Sequence, residues 1–229
     1  LLVLVGLAVL VAAVFLWLPF GLTRRRAAED GAAQIARSTR AGLGAYFGLL
    51  GLGFMAVEVS MIQRFALLLG YPTLSLSVSL FTLLLSTAAG ARSSRLVSRG
   101  RLGGLWTAFV ALAVVVLVYI STSEQITRAA LGWPQWGRIA VAVALLSPVG
   151  LVLGAFLPTG IDAATSLTDE AARGRVVAWC WAVNGFFSVI GSSLTTIVSM
   201  TVGFDLTLVL GLCLYLVAVS VPTVRRAGR

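Results

Sequence analysis

The chain has 229 residues, of which 59% are hydrophobic and 11% are charged, and its formal net charge is +9 at pH 7. An ordinary soluble domain is about 45–50% apolar, so a single core in water cannot bury this much apolar surface. The positive charge would suit a nucleic-acid partner, but the arginines cluster in short connections between apolar runs, which is typical of membrane topology signals. Composition therefore excludes nucleic-acid binding and predicts an all-α, polytopic transmembrane helix bundle.

Seven apolar segments approach or exceed the roughly 20 helical residues that cross a hydrocarbon core. In chain order, these predicted spans are residues 1–21, 43–68, 72–91, 103–121, 138–158, 176–202 and 206–223. They form one transmembrane domain over residues 1–229. No small-residue cleavage site follows the first run, so we interpret it as a span and not as a signal peptide. The chain begins within that run and without methionine, which predicts a piece of a longer protein.

The distribution of arginine predicts the orientation of the bundle. Fourteen of the 17 arginines lie in alternate connections and in the C-terminal tail, within residues 22–42, 92–101, 159–175 and 224–229. Arginine-rich loops stay on the cytoplasmic side of a membrane. With seven spans, the sequence therefore predicts a multi-pass protein with a cytoplasmic C terminus and an external N terminus. Trp133 and Trp136 suit the outer interface, where indole rings lie among the headgroups.

Small residues and one acid share a face of the second predicted span. Gly44, Gly48, Gly51, Met55 and Glu58 are spaced by four, three, four and three residues, which places them on one side of a helix. Small residues let another helix approach closely, so this face is expected to meet protein. A carboxylate in hydrocarbon costs a few kcal/mol, so Glu58 must be partnered, hydrated or protonated. Glu58 is either a functional intramembrane group or a structural hydrogen-bond anchor.

Gln63 and Arg64 follow Glu58 on the same span. Six residues turn a helix by about 240°, so Glu58 and Arg64 do not face each other. Arg64 lies near the outer boundary, where it is either a structural residue or a binding group for a substrate or a lipid headgroup. Gln63 is placed to satisfy a polar group on a neighbouring helix.

Polar side chains also follow helical spacing on the third and sixth spans. On the third they are Ser75, Ser79, Thr82 and Ser86, and on the sixth they are Asn184, Ser188, Ser192, Thr195 and Ser199. A rise of about 1.5 Å per residue brings four of these candidates to a similar height in the outer half of the membrane. This predicted polar cluster consists of Glu58, Ser79, Ser192 and Thr195, with Asn184 deeper by about 12 Å. Such hydroxyl stripes serve either helix packing or a permeation path.

The fifth span contains Pro148, the pair Gly150 and Gly154, and a Pro158-Thr159-Gly160 ending. Proline removes a backbone donor and bends a helix. Helices broken in this way also occur at transporter sites, so this segment has two interpretations, a plain bend and a binding site.

The sequence contains no motif for catalysis, and no catalytic residue is assigned. Without histidine a Ser-His-Asp triad is impossible, and a zinc or di-iron site is not expected. No glycine-rich turn for a nucleotide or an S-adenosyl ligand follows a strand, so no cofactor is expected within this chain. Cys180 and Cys213 lie inside apolar runs and are expected to be small buried hydrophobic residues.

Two groups of motifs resemble the membrane part of bacterial spermidine-synthase-like transmembrane proteins. The first group is GLGFMAVE at residues 51–58, QRF at 63–65 and LGYPT at 69–73. The second is PTG at residues 158–160, WCWAVNG at 179–185 and SVIGS at 188–192. The resemblance covers about residues 44–220. It departs at Tyr71, where the family often has histidine, and at residues 89–92, where a Gly-Ser ending is expected.

The resemblance implies a location in the bacterial cytoplasmic (inner) membrane. In that family, a multispan bundle is fused to a Rossmann-like domain similar to polyamine aminopropyltransferases and S-adenosylmethionine-dependent methyltransferases. That domain is absent from this chain, so any transferase activity would belong to it. The expected role is a membrane domain that anchors or serves a soluble transferase-like domain or partner, with a small or lipidic ligand near Glu58. The alternatives are a transporter or half-transporter and a structural subunit of a membrane complex.

Overall fold

The computed structural model describes residues 6, 37–92, 94 and 104–221, and the longer of these stretches are almost entirely helical. The helices are α1 (Arg37–Leu69), α2 (Pro72–Ala91), α3 (Leu105–Ala130), α4 (Gln135–Leu153), α5 (Phe156–Ser166), α6 (Glu170–Val202) and α7 (Phe204–Ser220). Five stretches are long and apolar enough to cross a membrane, with α4 and α5 counted as one, and α7 adds a shorter apolar helix of 17 residues. The predicted all-α membrane bundle is therefore confirmed.

The number of spans is about six among the described residues, compared with the seven predicted for the whole chain. The first predicted span, residues 1–21, lies outside the described residues. The α2 helix has the predicted bounds because Pro72 occupies its first position and Gly70, at φ 80°, ends the preceding helix. The α3 helix continues nine residues past the predicted end, through a polar segment that includes the Glu124–Arg128 ion pair one turn apart.

The predicted ending of the fifth span at residues 158–160 is wrong. The α4 helix ends at Leu153, and Pro158 lies in the first turn of a new helix, α5. The first backbone N–H groups of a helix have no partner within it, so proline is tolerated there. The PTG motif therefore begins a short helix and does not terminate a span.

The α1 helix lies at the centre of the bundle. It packs most extensively against α6 and α7, and then against α2. Its membrane-length window is 61% buried inside the protein, compared with 17% for that of α6. The α2 and α6 helices flank α1 and have little contact with each other, and α6 and α7 also touch each other far less than either touches α1.

A second tight interface joins α2 to α4. A Cβ added at Gly90 would lie 1.9 Å from the carbonyl oxygen of Leu151, and one at Gly154 would lie 2.1 Å from that of Thr87. A Cβ at Gly150 would lie 2.6 Å from the Cβ of Ser86. The two backbones therefore approach closely, as small residues allow in membrane helices.

The arginine-poor connections lie at one end of the bundle. The Gln135 side chain at the start of α4 donates to the carbonyl of Leu69 at the end of α1, over 3.0 Å. Arg64 near the same end of α1 pairs with Asp205 at the start of α7. Trp136, in the first turn of α4 at this end, is 74% exposed, which fits the predicted interfacial position.

Candidate functional site

The glycine face of α1 packs against α6. A Cβ added at Gly51 would lie 2.4 Å from the carbonyl oxygen of Asn184 and 3.0 Å from the backbone nitrogen of Ser188. The Asn184 side chain donates from Nδ2 to the carbonyl of Phe47 over 3.2 Å, and the Ser188 hydroxyl donates to the carbonyl of Asn184. Two site candidates, Asn184 and Ser188, therefore belong to the helix interface.

The reciprocal contact lies one to two turns further along the same interface. Gly191 of α6 faces α1, where its added Cβ would lie 3.1 Å from the Cα of Leu52 and 3.1 Å from the Cβ of Met55. The predicted close approach on this face of α1 is thus confirmed, and α6 is its partner. The sequence did not identify which helix would supply it.

Glu58 is buried on α1, with 6% of its surface exposed, and Ser79 of α2 is fully buried. Within the part of the chain that the structure describes, Glu58 has no hydrogen-bond or ion-pair partner. The hydroxyl of Ser79 is also without a partner there. Ser75 donates to the carbonyl of Ile62 over 2.6 Å, which sets the alignment of α1 with α2.

The four members of the predicted polar cluster do not form a hydrogen-bonded group. Ser192 donates to the carbonyl of Val189 in its own helix. Thr195 faces a different side of α1, in a groove lined by Ala56. The Ser192 bond is of a common kind, because hydroxyl groups in membrane helices often donate to a carbonyl three or four residues earlier. Glu58 and Ser79 have no hydrogen-bond partner among the described residues, and neither do the buried hydroxyl groups of Ser60, Tyr119 and Ser123.

Arg64 has two neighbours that the sequence did not indicate. Its guanidinium pairs with the carboxylate of Asp205 on α7 and lies 5.8 Å from the ring centroid of Tyr119 on α3. A cation above an aromatic ring is attracted to its electron-rich face. Asp205 is about half exposed, so the pair is at the boundary between bundle and solvent. This arrangement favours the structural interpretation of Arg64, because it ties three helices together.

Gln63 receives a hydrogen bond from the hydroxyl of Ser199 on α6, over 2.9 Å. The expectation that Gln63 satisfies a neighbouring helix is confirmed. Gln63 is therefore part of the α1–α6 interface.

An apolar groove of about 360 Å³ runs between α6 and α7, with α1 as its floor. The groove includes Leu52, Ala56, Gly191, Thr195, Thr207, Cys213 and Val217 among its lining residues. Glu58 does not line it. Cys213 is exposed there, contrary to the expectation of a buried residue, whereas Cys180 is buried as expected.

Comparison with known protein families, with curated proteins and with solved structures finds no match to this chain. In the described ranges, no three histidine, cysteine, aspartate or glutamate side chains gather in a way that could hold a metal ion. The site must therefore be interpreted from its own geometry.

Proposed function

We propose that this chain is the membrane-embedded domain of a bacterial spermidine-synthase-like protein. In this proposal, it anchors or serves a soluble transferase-like domain or partner at the cytoplasmic face of the inner membrane. The supporting observation is that the two groups of motifs pack against each other. Gly51 of the first group meets Asn184 and Ser188 of the second at the closest approach of α1 and α6.

The PTG motif of the second group is also packed closely against α1. In the PTG segment, a Cβ at Gly160 would lie 2.3 Å from the ring of Tyr46, and the Tyr46 hydroxyl donates to the carbonyl of Phe156 over 2.9 Å. A chance resemblance between apolar helices would fall on lipid-facing positions as often as on buried ones. Here the motifs include positions where a larger side chain does not fit, which supports a common helix arrangement.

The groove between α6 and α7 supports a lipidic ligand more than a polar one. Its lining is almost wholly apolar, and it lies on the flank of the bundle, away from Glu58. An acyl chain would satisfy such a surface by apolar contact alone. The ligand is therefore proposed for this groove and not for the surroundings of Glu58.

The test is purification of the protein from its native membrane in a mild detergent, after chemical cross-linking, with identification of every polypeptide by mass spectrometry. We expect a soluble transferase-like domain, either continuous with this segment or cross-linked to its arginine-rich end. Recovery with other membrane subunits alone, from a gene with no such domain, would refute the proposal and favour a structural subunit.

Transport is the second candidate function, and the unpaired Glu58 favours it. Polar groups inside a membrane protein often mark the path of an ion or a substrate. Proteoliposomes with a trapped pH dye would report proton flux after a pH jump. Flux that Glu58→Gln abolishes and Glu124→Gln preserves would support transport. Equal flux in the Glu58→Gln variant and the parent would remove Glu58 from any coupling role.

A further inference from the structure

Two buried polar groups without partners lie at the same depth on neighbouring helices. The α1 and α2 helices are antiparallel, and the Ser75 hydroxyl bonds to the carbonyl of Ile62 where they meet. One turn further from the connecting turn along each helix, about 6 Å deeper, are Ser79 on α2 and Glu58 on α1. Both side chains are more than nine-tenths buried, and neither has a hydrogen-bond partner among the described residues.

Among the described residues, no other charged group is placed to neutralise Glu58 at this depth. On the helices that pack against α1, the charged side chains within the described ranges lie towards the helix ends or, for Asp162, on the short helix α5: Arg138, Asp162, Glu170, Arg173, Arg175 and Asp205. The nearest on α1 itself is Arg64, which is committed to Asp205 and points to another side of the helix. The α2 helix carries no charged residue at all.

We propose that Glu58 and Ser79 form a proton-binding site inside the bilayer. An ionised carboxylate without a counter-ion or hydrogen bonds is strongly disfavoured in an apolar interior, whereas the neutral acid is far less so. The acid form has one O–H donor, and a serine hydroxyl can accept it. Glu58 thus carries a proton within the membrane, and the Ser79 hydroxyl completes its hydrogen bonding. Ser79 lies on α2, which packs directly against α1, so the two groups belong to helices in contact.

This proposal does not depend on the transferase-related function. A protonated carboxyl in hydrocarbon reacts with dicyclohexylcarbodiimide, an apolar reagent. The carboxyl oxygen adds to the central carbon of the reagent and the acid proton moves to its nitrogen, so the peptide gains the mass of one whole reagent molecule. Water-soluble carbodiimides, in contrast, reach exposed acids such as Glu124.

The experiment labels the purified protein in bilayers with dicyclohexylcarbodiimide and maps the adduct by peptide mass spectrometry. We expect one dominant adduct, on Glu58, that Glu58→Gln removes and Glu124→Gln leaves in place. Labelling confined to other acids in the folded protein, with Glu58 reactive only after denaturation, would overturn the proposal. The proposal would also be overturned if Glu58 stayed unlabelled in bilayers where the reagent labels a control protein that has a known reactive carboxyl in the membrane.

Infrared spectroscopy tests the role of Ser79 separately. The C=O stretch of a protonated carboxyl, assigned by its loss in Glu58→Gln, moves to higher frequency when the acid loses a hydrogen bond. We expect this upward shift in Ser79→Ala and no shift in Ser77→Ala, because the Ser77 hydroxyl bonds to the carbonyl of Thr73 in its own helix. A band that Ser79→Ala leaves in place would exclude Ser79 from the site. The absence of any carboxylic acid band would exclude the bound proton.

Discussion

Replacing Gly51 with alanine adds one carbon atom at the closest point of the α1–α6 interface. That carbon would lie 2.4 Å from the carbonyl oxygen of Asn184 and 3.0 Å from the backbone nitrogen of Ser188. Non-bonded atoms of this kind are comfortable at about 3.5 Å, so the new atom is about 1 Å too close. Both opposing atoms belong to the backbone and cannot rotate away. The two helices must therefore separate locally.

The cost follows from the packing that this separation loses. Overpacking a close interface costs about 1–3 kcal/mol, and the severe overlap here favours the upper end. Alanine regains about 1 kcal/mol of helix propensity relative to glycine, which leaves a net loss of about 2 kcal/mol. For a chain of this size, each kcal/mol lowers the melting temperature by about 2–4 °C. We expect Gly51→Ala to melt about 4–8 °C below its parent.

The assay uses the two cysteines of the chain. Cys180 is buried in α6 and becomes reactive towards a fluorescent thiol dye when the bundle unfolds, whereas Cys213 is exposed in the folded state. In protein that carries Cys213→Ser, the dye therefore reacts with Cys180 alone, and its fluorescence reports unfolding. Thermal ramps in one detergent at one protein concentration give the melting temperatures.

Gly44→Ala is the matched control, on the same face of α1 and against the same partner helix. Its added carbon would lie 3.4 Å from the ring of Trp179, which is an ordinary contact. We expect its melting temperature to equal or slightly exceed that of the parent. If Gly51→Ala and Gly44→Ala had the same melting temperature, the inference of a close backbone approach at Gly51 would be wrong.

Three further predictions use the same thermal assay. Asn184→Ala removes the bond to the Phe47 carbonyl, and since such interhelical bonds average about 0.6 kcal/mol, we expect a small loss of about 1–2 °C. Tyr46→Phe removes the 2.9 Å bond to the Phe156 carbonyl and should cost about 0.5–1.5 kcal/mol; an unchanged melting temperature would contradict that bond. Gly185→Ala should not destabilise, because nothing lies within 4 Å of the added carbon; a lower melting temperature would show that this face is covered.

The face of α1 that meets protein was predictable because helical periodicity places small residues together. Gly44, Gly48 and Gly51 were expected to admit a neighbouring helix, and all three face α6: Gly51 meets its backbone, whereas Gly44 and Gly48 meet the rings of Trp179 and Phe187. Their partner was not predictable, because periodicity describes one helix and not its neighbours. The same limit hid the pairing of Arg64 with Asp205, which are 141 residues apart in the chain.

Helix ends were predicted less well than spans. An apolar run measures the length that crosses hydrocarbon, whereas the helix itself continues as long as its backbone groups find partners. The α3 helix therefore extends to Ala130 through a polar segment. Pro158 was interpreted as a terminator, although proline is equally suited to the first turn of a helix. Ser192 does not bond to the other members of the predicted polar cluster, because its hydroxyl donates to the carbonyl of Val189 on its own helix.

The interdigitation of Gly90 and Gly154 with the opposite backbone bears on how this bundle can move. A shift of α2 along α4 by even one residue would drive a side chain into space where only hydrogen fits, so these two helices must travel as one rigid body. The α6 and α7 helices have no such close contact with each other, since each packs mainly against α1. Direct contact between α6 and α7 therefore restricts their relative movement far less than the glycine contacts restrict a movement of α2 along α4.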